Sequence, residues 1–460
     1  MWGQWAQGAP HERNEHMSQE PRIDVETKAQ GIEGTLTTDQ VQRIADALGR
    51  QGVWFAAPPA HDGRAPRAEL VWDLVGDRPH EGRTATGRAA VHLAEGHTAL
   101  ARPLIIADGF NYGPSDLDAL WLHLNAPYQD NVPGLLDQLR MMGFDVVLLG
   151  FDERHTHIQA NAAVAVTCVL RAIEERRGDD PLVVGGVSMG GMITRYALAR
   201  MESERVDHQT DKYFSYDTPH LGAWIPLVLQ QLAYLHESIQ PAADGPGQAD
   251  LIRSPAAQQL LWAWVENETY SGPVTTASSL RTDFLDDLRR VGWFPMRPYK
   301  LGLANGIGNG TGPGLPPGTP VFDLRHDSLQ LTARIQPGLG ELQNVGTVRF
   351  GGPVWTSATS QVAAFDGAPG GTLDSWGRVA DAMGLPIDDA LRASCFVPVV
   401  SAVALARDPF QWQPELYRDL SDLPKDETFL DAFCCDLTNS AHSSVSPTLV
   451  EWFLEQLAGW

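Results

Sequence analysis

Residues Pro181 to Leu198 read PLVVGGVSMGGMITRYAL, and the change of character midway through this stretch decides the fold. It opens on Leu182-Val183-Val184, an apolar run of the kind a strand buried on both faces needs. It then passes through Gly186-Val187-Ser188-Met189-Gly190, with a further Gly191, and continues in a helical pattern. A G-x-S-x-G string fixes only three positions. Between a predicted strand and a predicted helix, however, it reads as a nucleophile elbow, with a serine hydroxyl exposed on a turn so tight that only glycine fits around it. The helix that follows points its N-terminus at the serine and favours negative charge there. The bland alternative is a glycine-rich strand-to-helix turn whose Ser188 only caps the helix.

The 460 residues suffice for one large domain with insertions, or for two. A hydrophobic content of 43% with 44 Gly and 32 Pro is that of a loop-rich globular chain. A net charge of −23 argues against a nucleic-acid partner or an anionic membrane surface. Four cysteines, Cys168, Cys395, Cys434 and Cys435, make no disulfide framework, which points to a reduced, cytoplasmic compartment. No apolar leader segment is visible, and no run of about 18 apolar residues predicts a membrane span.

Working outward from the elbow, the rhythm from Pro103 onward is strand, helix, strand. Leu104–Ala107 reads as a buried strand, Val132–Met142 as a helix, Phe144–Leu149 as a strand and His157–Glu175 as a helix. The elbow and then Lys212–Tyr216 continue the pattern. Alternation of this kind specifies an α/β fold with a mostly parallel central sheet and helices on both faces. Upstream, residues 1–24 are polar and unpatterned, a predicted disordered arm. Thr37 and Gln40 have capping-box spacing before a helix carrying Val41, Ile44 and Leu48. Glu69–Val75 and Ala89–Leu93 read as early antiparallel strands.

Residues 25–222 thus form the first part of the core. Residues 223–295 are helical and rich in Trp, Tyr and Phe, and read either as a cap over the strand ends or as an ordinary helical subdomain. Residues 296–460 supply the rest: strand Lys300–Ala304, a β-rich stretch with Val321–Leu324, Gly346–Phe350 and Gln361–Phe365, and Cys395–Val400 as the last core strand. A helix over Pro447–Leu457 closes the chain.

Several of these stretches together resemble the α/β-hydrolase superfamily, in particular its lipase and esterase-like members. Pro103–Phe110 is similar to the strand and turn that precede the lipase oxyanion hole, with Asp108 where those enzymes often carry His. Thr218-Pro219-His220-Leu221-Gly222 resembles the Thr-Pro-His-x-Gly turn of many lipases, and Val397-Pro398-Val399-Val400-Ser401 a Val-Pro-x-x-Ser piece near the acid. The resemblance covers roughly residues 100–225 and 390–460, and implies an α/β-hydrolase fold with a helical cap insertion.

A serine hydroxyl needs a base to act as a nucleophile at neutral pH. The order nucleophile, acid, histidine puts that base late in the chain, where His442 lies in a loop before the last helix. His220 belongs to a turn in which the imidazole more often supports the loop. The usual lipase acid would fall at Ser394, which carries no carboxylate. Three candidates remain: Asp431 first, just upstream of the base loop; Asp217 second, ending the strand after the elbow; and Asp408 third. The resemblance implies oxyanion donors from the backbone N–H groups of Met189 and Phe110, each worth roughly 3–4 kcal/mol in the transition state. No metal-ligand spacing, P-loop or dinucleotide fingerprint is present, so no metal or cofactor is expected; His155 and His157 beside Glu153 read as a solvated loop.

The leading expectation is a serine hydrolase opening an apolar ester or thioester. An acyltransferase or cyclase would use the same residues in a drier site. A hydrolase-fold binding protein without chemistry is the third reading, supported by Ser394 and opposed by the elbow and His442.

Overall fold

The computed structural model describes residues 30–458 apart from 51–62, 240–246, 268–269, 272–276, 353, 361 and 411–414. The arm expected over 1–24 lies outside the described residues. Eight strands form the central sheet: β1 (Leu70–Val75), β2 (Thr86–His92), β3 (Pro103–Ala107), β4 (Asp145–Phe151), β5 (Leu182–Val187), β6 (Thr210–Tyr216), β7 (Tyr299–Ile307) and β8 (Ala432–Asp436). They pair in the order β1-β2-β4-β3-β5-β6-β7-β8. Only β2 runs against its neighbours; every other pairing is parallel. This is the α/β-hydrolase fold.

Composition explains the layering. All seven residues of β4 and all six of β5 are buried, so these strands face apolar neighbours on both sides. After α1 (Thr38–Arg50), α2 (Leu117–Leu124) and α3 (Leu135–Met141), the helices α4 (Ile158–Glu175) and α5 (Met189–Ser203) cover one face, through Ala162, Val166, Val169, Ile193 and Ala197. Helices over Leu117–Leu124, Leu135–Met141 and Pro447–Ala458 cover the other, through Leu120, Leu136, Leu139, Leu449 and Phe453. Each of the Val, Leu, Ile and Phe side chains among these contributes about 1.5–3 kcal/mol on burial.

A second sheet of six strands stands apart from the first. Its order is Ile32–Thr35, Pro320–Arg325, Leu329–Arg334, Gln343–Phe350, Trp355–Thr359 and Tyr270–Ser271. Residues 32–35 pair with 322–325, far from the early strands β1 and β2. The capping box at the next helix forms as spaced: Thr37 N–H donates to Gln40 Oε1 at 2.8 Å, and Gln40 N–H to Thr37 Oγ1 at 3.3 Å.

Two strand expectations are corrected. The apolar run at Cys395–Val400 gives strand Ser394–Pro398, which pairs with Gly370–Leu373 in a separate two-stranded sheet and not with the core. A strand buried on both faces looks the same in sequence whichever sheet it joins. The last core strand is instead β8, AFCCD, a half-buried edge strand whose apolar run is only four residues long. Residues 362–365 form a buried loop, not a strand, with Phe365 stacked on Trp224 at 4.6 Å between ring centroids.

The aromatic side chains of 223–295 go largely into packing. Trp224 is 1% exposed and its indole N–H donates to Asp366 Oδ1 at 2.6 Å, while Phe284 packs near Tyr196 of α5. Among the described residues no helix is long and apolar enough to cross a membrane.

Candidate active site

At the end of β5 the backbone turns through Ser188, which holds φ 53° and ψ −126°. That conformation is costly for a non-glycine residue and marks the sharp elbow. The flanking glycines are needed for space. A Cβ on Gly186 would lie 2.3 Å from the Gly190 carbonyl carbon, and one on Gly190 would lie 2.1 Å from the Ala107 oxygen. Ser188 N–H donates to the Tyr216 carbonyl at 2.8 Å, and α5 begins at the next residue.

Two distant segments converge on this turn. His442 lies between β8 and the C-terminal helix, its N–H donating to Thr372 O at 2.8 Å. Its Nε2 is 2.7 Å from Ser188 Oγ, and its Nδ1 is 2.6 Å from Asp217 Oδ2. An ionised carboxylate only accepts, so Nδ1 carries the proton and Nε2 presents a lone pair to the Ser188 hydroxyl. Asp217 follows β6, is fully buried, and accepts at Oδ1 from Asn305 N–H at 3.1 Å. The edge of Phe396 meets the imidazole, with ring centroids 4.9 Å apart.

The other acid candidates sit elsewhere. Asp431, ranked first from the sequence, immediately precedes β8, whereas His442 follows that strand. Strands β7 and β8 are parallel, so Asp431 lies at the end of the sheet opposite Ser188, roughly 17 Å of strand away. There its Oδ2 takes Lys300 Nζ at 2.7 Å and Lys300 N–H at 2.7 Å. Asp408 accepts from Phe410 N–H at 3.0 Å, within its own turn. Ser394 is buried at the start of its strand. His220 is buried as well, between Arg195 at 3.3 Å and Ser215 Oγ at 3.0 Å; burial and then Arg195 hold its pKa well below the usual histidine value. It supports its loop from there.

The turn after β3 packs directly on the serine: a Cβ on Gly109 would sit 3.1 Å from Ser188 Cβ. Asp108 organises that turn. Its Oδ1 accepts Gly109 N–H at 2.8 Å, and its Oδ2 pairs with Arg154 at 3.3 Å. Arg154 also donates to the Tyr112 and Gly113 carbonyls at 3.3 and 3.4 Å. Burial raises the Asp108 pKa, and Arg154, Ser115 and Gly109 oppose the rise. With Gly109 N–H committed to Asp108, Phe110 N–H is the next donor along the turn, and Met189 N–H the first of α5. His155 stacks on Tyr112 at 4.2 Å, and no group of three metal-ligating side chains occurs among the described residues.

The quoted motifs also meet in space. Ser401 Oγ receives Leu221 N–H at 3.0 Å and donates to the Gly222 carbonyl at 2.9 Å, so the Val-Pro-x-x-Ser piece holds the Thr-Pro-His-x-Gly turn. Three site residues had no signal in the sequence. Asn305 fixes Asp217 through its backbone. Gly371 gives Asp217 room, since a Cβ there would lie 2.0 Å from Asp217 Oδ2 and 3.2 Å from the His442 Cα. Ser443 Oγ lies 3.2 Å from His442 Nε2, and only its place beside the histidine could have suggested it.

By sequence the chain matches no protein-family model and no curated protein. Solved structures similar to it include a Bacillus licheniformis lipase in propeptide form, at 16% identity and TM-score 0.30 over 48% of this chain and 40% of that one. A brefeldin A esterase, a bacterial homologue of human hormone-sensitive lipase, is 14% identical at TM-score 0.27 over 59% of this chain and 79% of that one. A bacterial heroin esterase is 16% identical at TM-score 0.29 over 51% and 65%. This chain spans less than half the length of the first of these. Likeness at this level says nothing of what the chain acts on; strand order and the turn at Ser188 carry the assignment, and by both the chain has the α/β-hydrolase fold.

Proposed function

We propose that the chain is a serine hydrolase of the esterase or lipase type, with Ser188 as nucleophile, His442 as general base and Asp217 as the carboxylate that orients it. One observation carries the reading: hydroxyl, imidazole and buried carboxylate are hydrogen-bonded in a line, at 2.7 and 2.6 Å. In this reading Ser188 Oγ attacks the substrate carbonyl as Nε2 takes its proton. The oxyanion meets the N–H groups of Met189 and Phe110. His442 then returns the proton to the leaving alcohol or thiol, and the acyl group remains on Ser188. Water, deprotonated by the same Nε2, releases the acid.

An apolar seam beside the site supports an apolar substrate: lined by Phe110, Ile225, Leu251, Ile252, Ala257 and Phe396, it encloses only about 10 Å³ as it stands and would have to open to take an acyl chain. Phe110 belongs to the turn beside Ser188, and Phe396 to the wall against His442. Ile225, Leu251, Ile252 and Ala257 supply the far wall, which supports the proposal that 223–295 acts as a cap holding an apolar acyl group. Hydrolysis of p-nitrophenyl esters of graded chain length tests this. Ser188→Ala should abolish turnover, and Ala257→Phe, which would keep the seam from opening, should move the preference toward shorter chains. An unchanged chain-length profile in Ala257→Phe would reject that role for the seam. A second reading, acyl transfer to an alcohol or amine, is favoured by the enclosure of the base, whose side chain is only 10% exposed. Product analysis with and without added alcohol separates the two.

A further inference from the structure

His442 Nε2 has two hydroxyl neighbours, Ser188 Oγ at 2.7 Å and Ser443 Oγ at 3.2 Å. Ser443 is 5% exposed and holds φ 61°, the left-handed region that favours glycine. Strain of this kind persists where the surroundings over-determine it. The Ser443 carbonyl accepts from His123 Nε2 at 2.8 Å, and its N–H points at Asp217 Oδ2, 3.4 Å away. The next carbonyl, of Ser444, accepts from the Tyr216 hydroxyl and Asn305 Nδ2, both at 2.8 Å. With the backbone pinned on both sides, the Ser443 side chain is aimed at Nε2. Glycine would adopt this backbone with less strain, so the backbone alone does not account for a hydroxyl here.

We propose that Ser443 is a positioning residue for the reaction proposed above, on which this inference rests. Its hydroxyl is a second partner for Nε2, used when the Ser188 oxygen is engaged elsewhere. In the resting site the closer Ser188 O–H occupies the single Nε2 lone pair. When Ser188 gives up its proton, Nε2–H becomes a donor and Ser443 Oγ an acceptor within reach; a hydrogen bond to the charged ring is the stronger kind. Once Ser188 carries the acyl group and the proton has left with the alcohol, the lone pair is bare again and the Ser443 O–H donates to it. Ser443 makes and breaks no covalent bond. It keeps the imidazole from swinging out of line between acylation and deacylation.

The test uses the full chain, an alkyl fluorophosphonate as probe, and the variants Ser443→Gly and Ser443→Ala. Both remove the hydroxyl, but only glycine relieves the left-handed backbone. Labelling of Ser188 should slow roughly tenfold in both. The acid limb of its pH profile should move to lower pH, because the protonated ring has lost an acceptor. The thermal midpoint of Ser443→Gly should equal or exceed that of the wild type, which a merely structural role would not give. A substrate-free readout is the 15N shift of His442 Nε2 in Ser188→Ala protein, which should move downfield when Ser443→Gly is added. Unchanged labelling, pH profile and nitrogen shift would overturn the proposal. A wild type that is not labelled would strike instead at Ser188 as nucleophile, and the nitrogen shift alone would then decide whether Ser443 is bonded to Nε2.

Discussion

Asp217 Oδ2 lies 2.6 Å from His442 Nδ1, across 225 residues of chain. Asp217 is carried on the end of a central strand and His442 on a loop beyond an edge strand, so the sheet itself sets their separation. Asp217→Asn would present an amide donor to Nδ1–H, favouring the tautomer whose Nε2 cannot accept from Ser188. We expect kcat on a p-nitrophenyl ester to fall about 10⁴-fold with the fold intact by circular dichroism. Asp431→Asn should stay near the wild type, since it removes only a half-exposed ion pair with Lys300 at the other end of the sheet. A large loss in Asp431→Asn and none in Asp217→Asn would reverse the assignment.

Gly371→Ala tests the same pair from outside it. The added methyl would sit 2.0 Å from Asp217 Oδ2, and the carboxylate is held too tightly by Asn305 and Ser443 to yield without moving off the imidazole. A displacement on the scale of 1 Å should lower kcat about 10²-fold. KM and the circular dichroism spectrum should change little. Full activity in Gly371→Ala would mean that the acid tolerates displacement and does not work by orientation.

The turn at Ser188, the sheet and the histidine that meets that serine were legible in the sequence because each leaves a local mark. Leu182–Val184 announces a buried strand, the glycines around Ser188 announce a tight turn, and His442 follows from chain order. The carboxylate beside His442 was not legible in the same way. Asp431 ranks ahead of Asp217 as letters because it lies just upstream of His442, and only strand direction puts Asp217 beside the histidine and Asp431 at the far end. The last core strand was misplaced for a related reason: β8 is half-buried, while Ser394–Pro398 is wholly buried in another sheet. Asn305 acts through its backbone and Gly371 through an absence of atoms, and neither leaves a side-chain signature.

Asp366 is buried and accepts from Trp224 Nε1 at 2.6 Å and from Gln336 N–H at 2.7 Å. Burial pushes its pKa up to about 6, against the opposing pull of those two hydrogen bonds. A carboxyl group with a folded pKa above its unfolded value binds more protons when folded. Its contribution is therefore fully present below about pH 4 and is lost as pH rises through about 6. Asp366→Asn cannot ionise. Its stability relative to the wild type should rise by on the order of 3 kcal/mol between pH 4 and pH 7. Urea unfolding of both proteins at four pH values in that range measures the difference. A flat difference curve would show that Asp366 is not held protonated by burial.

The most direct measurement is the site of reaction with a fluorophosphonate. The folded wild-type chain, treated at neutral pH and digested, should carry the phosphonyl group on the peptide containing Ser188. Ser188→Ala should carry none, and Asp217→Asn should label far more slowly. Modification of a different residue, or no modification of folded protein, would contradict Ser188 as the nucleophile.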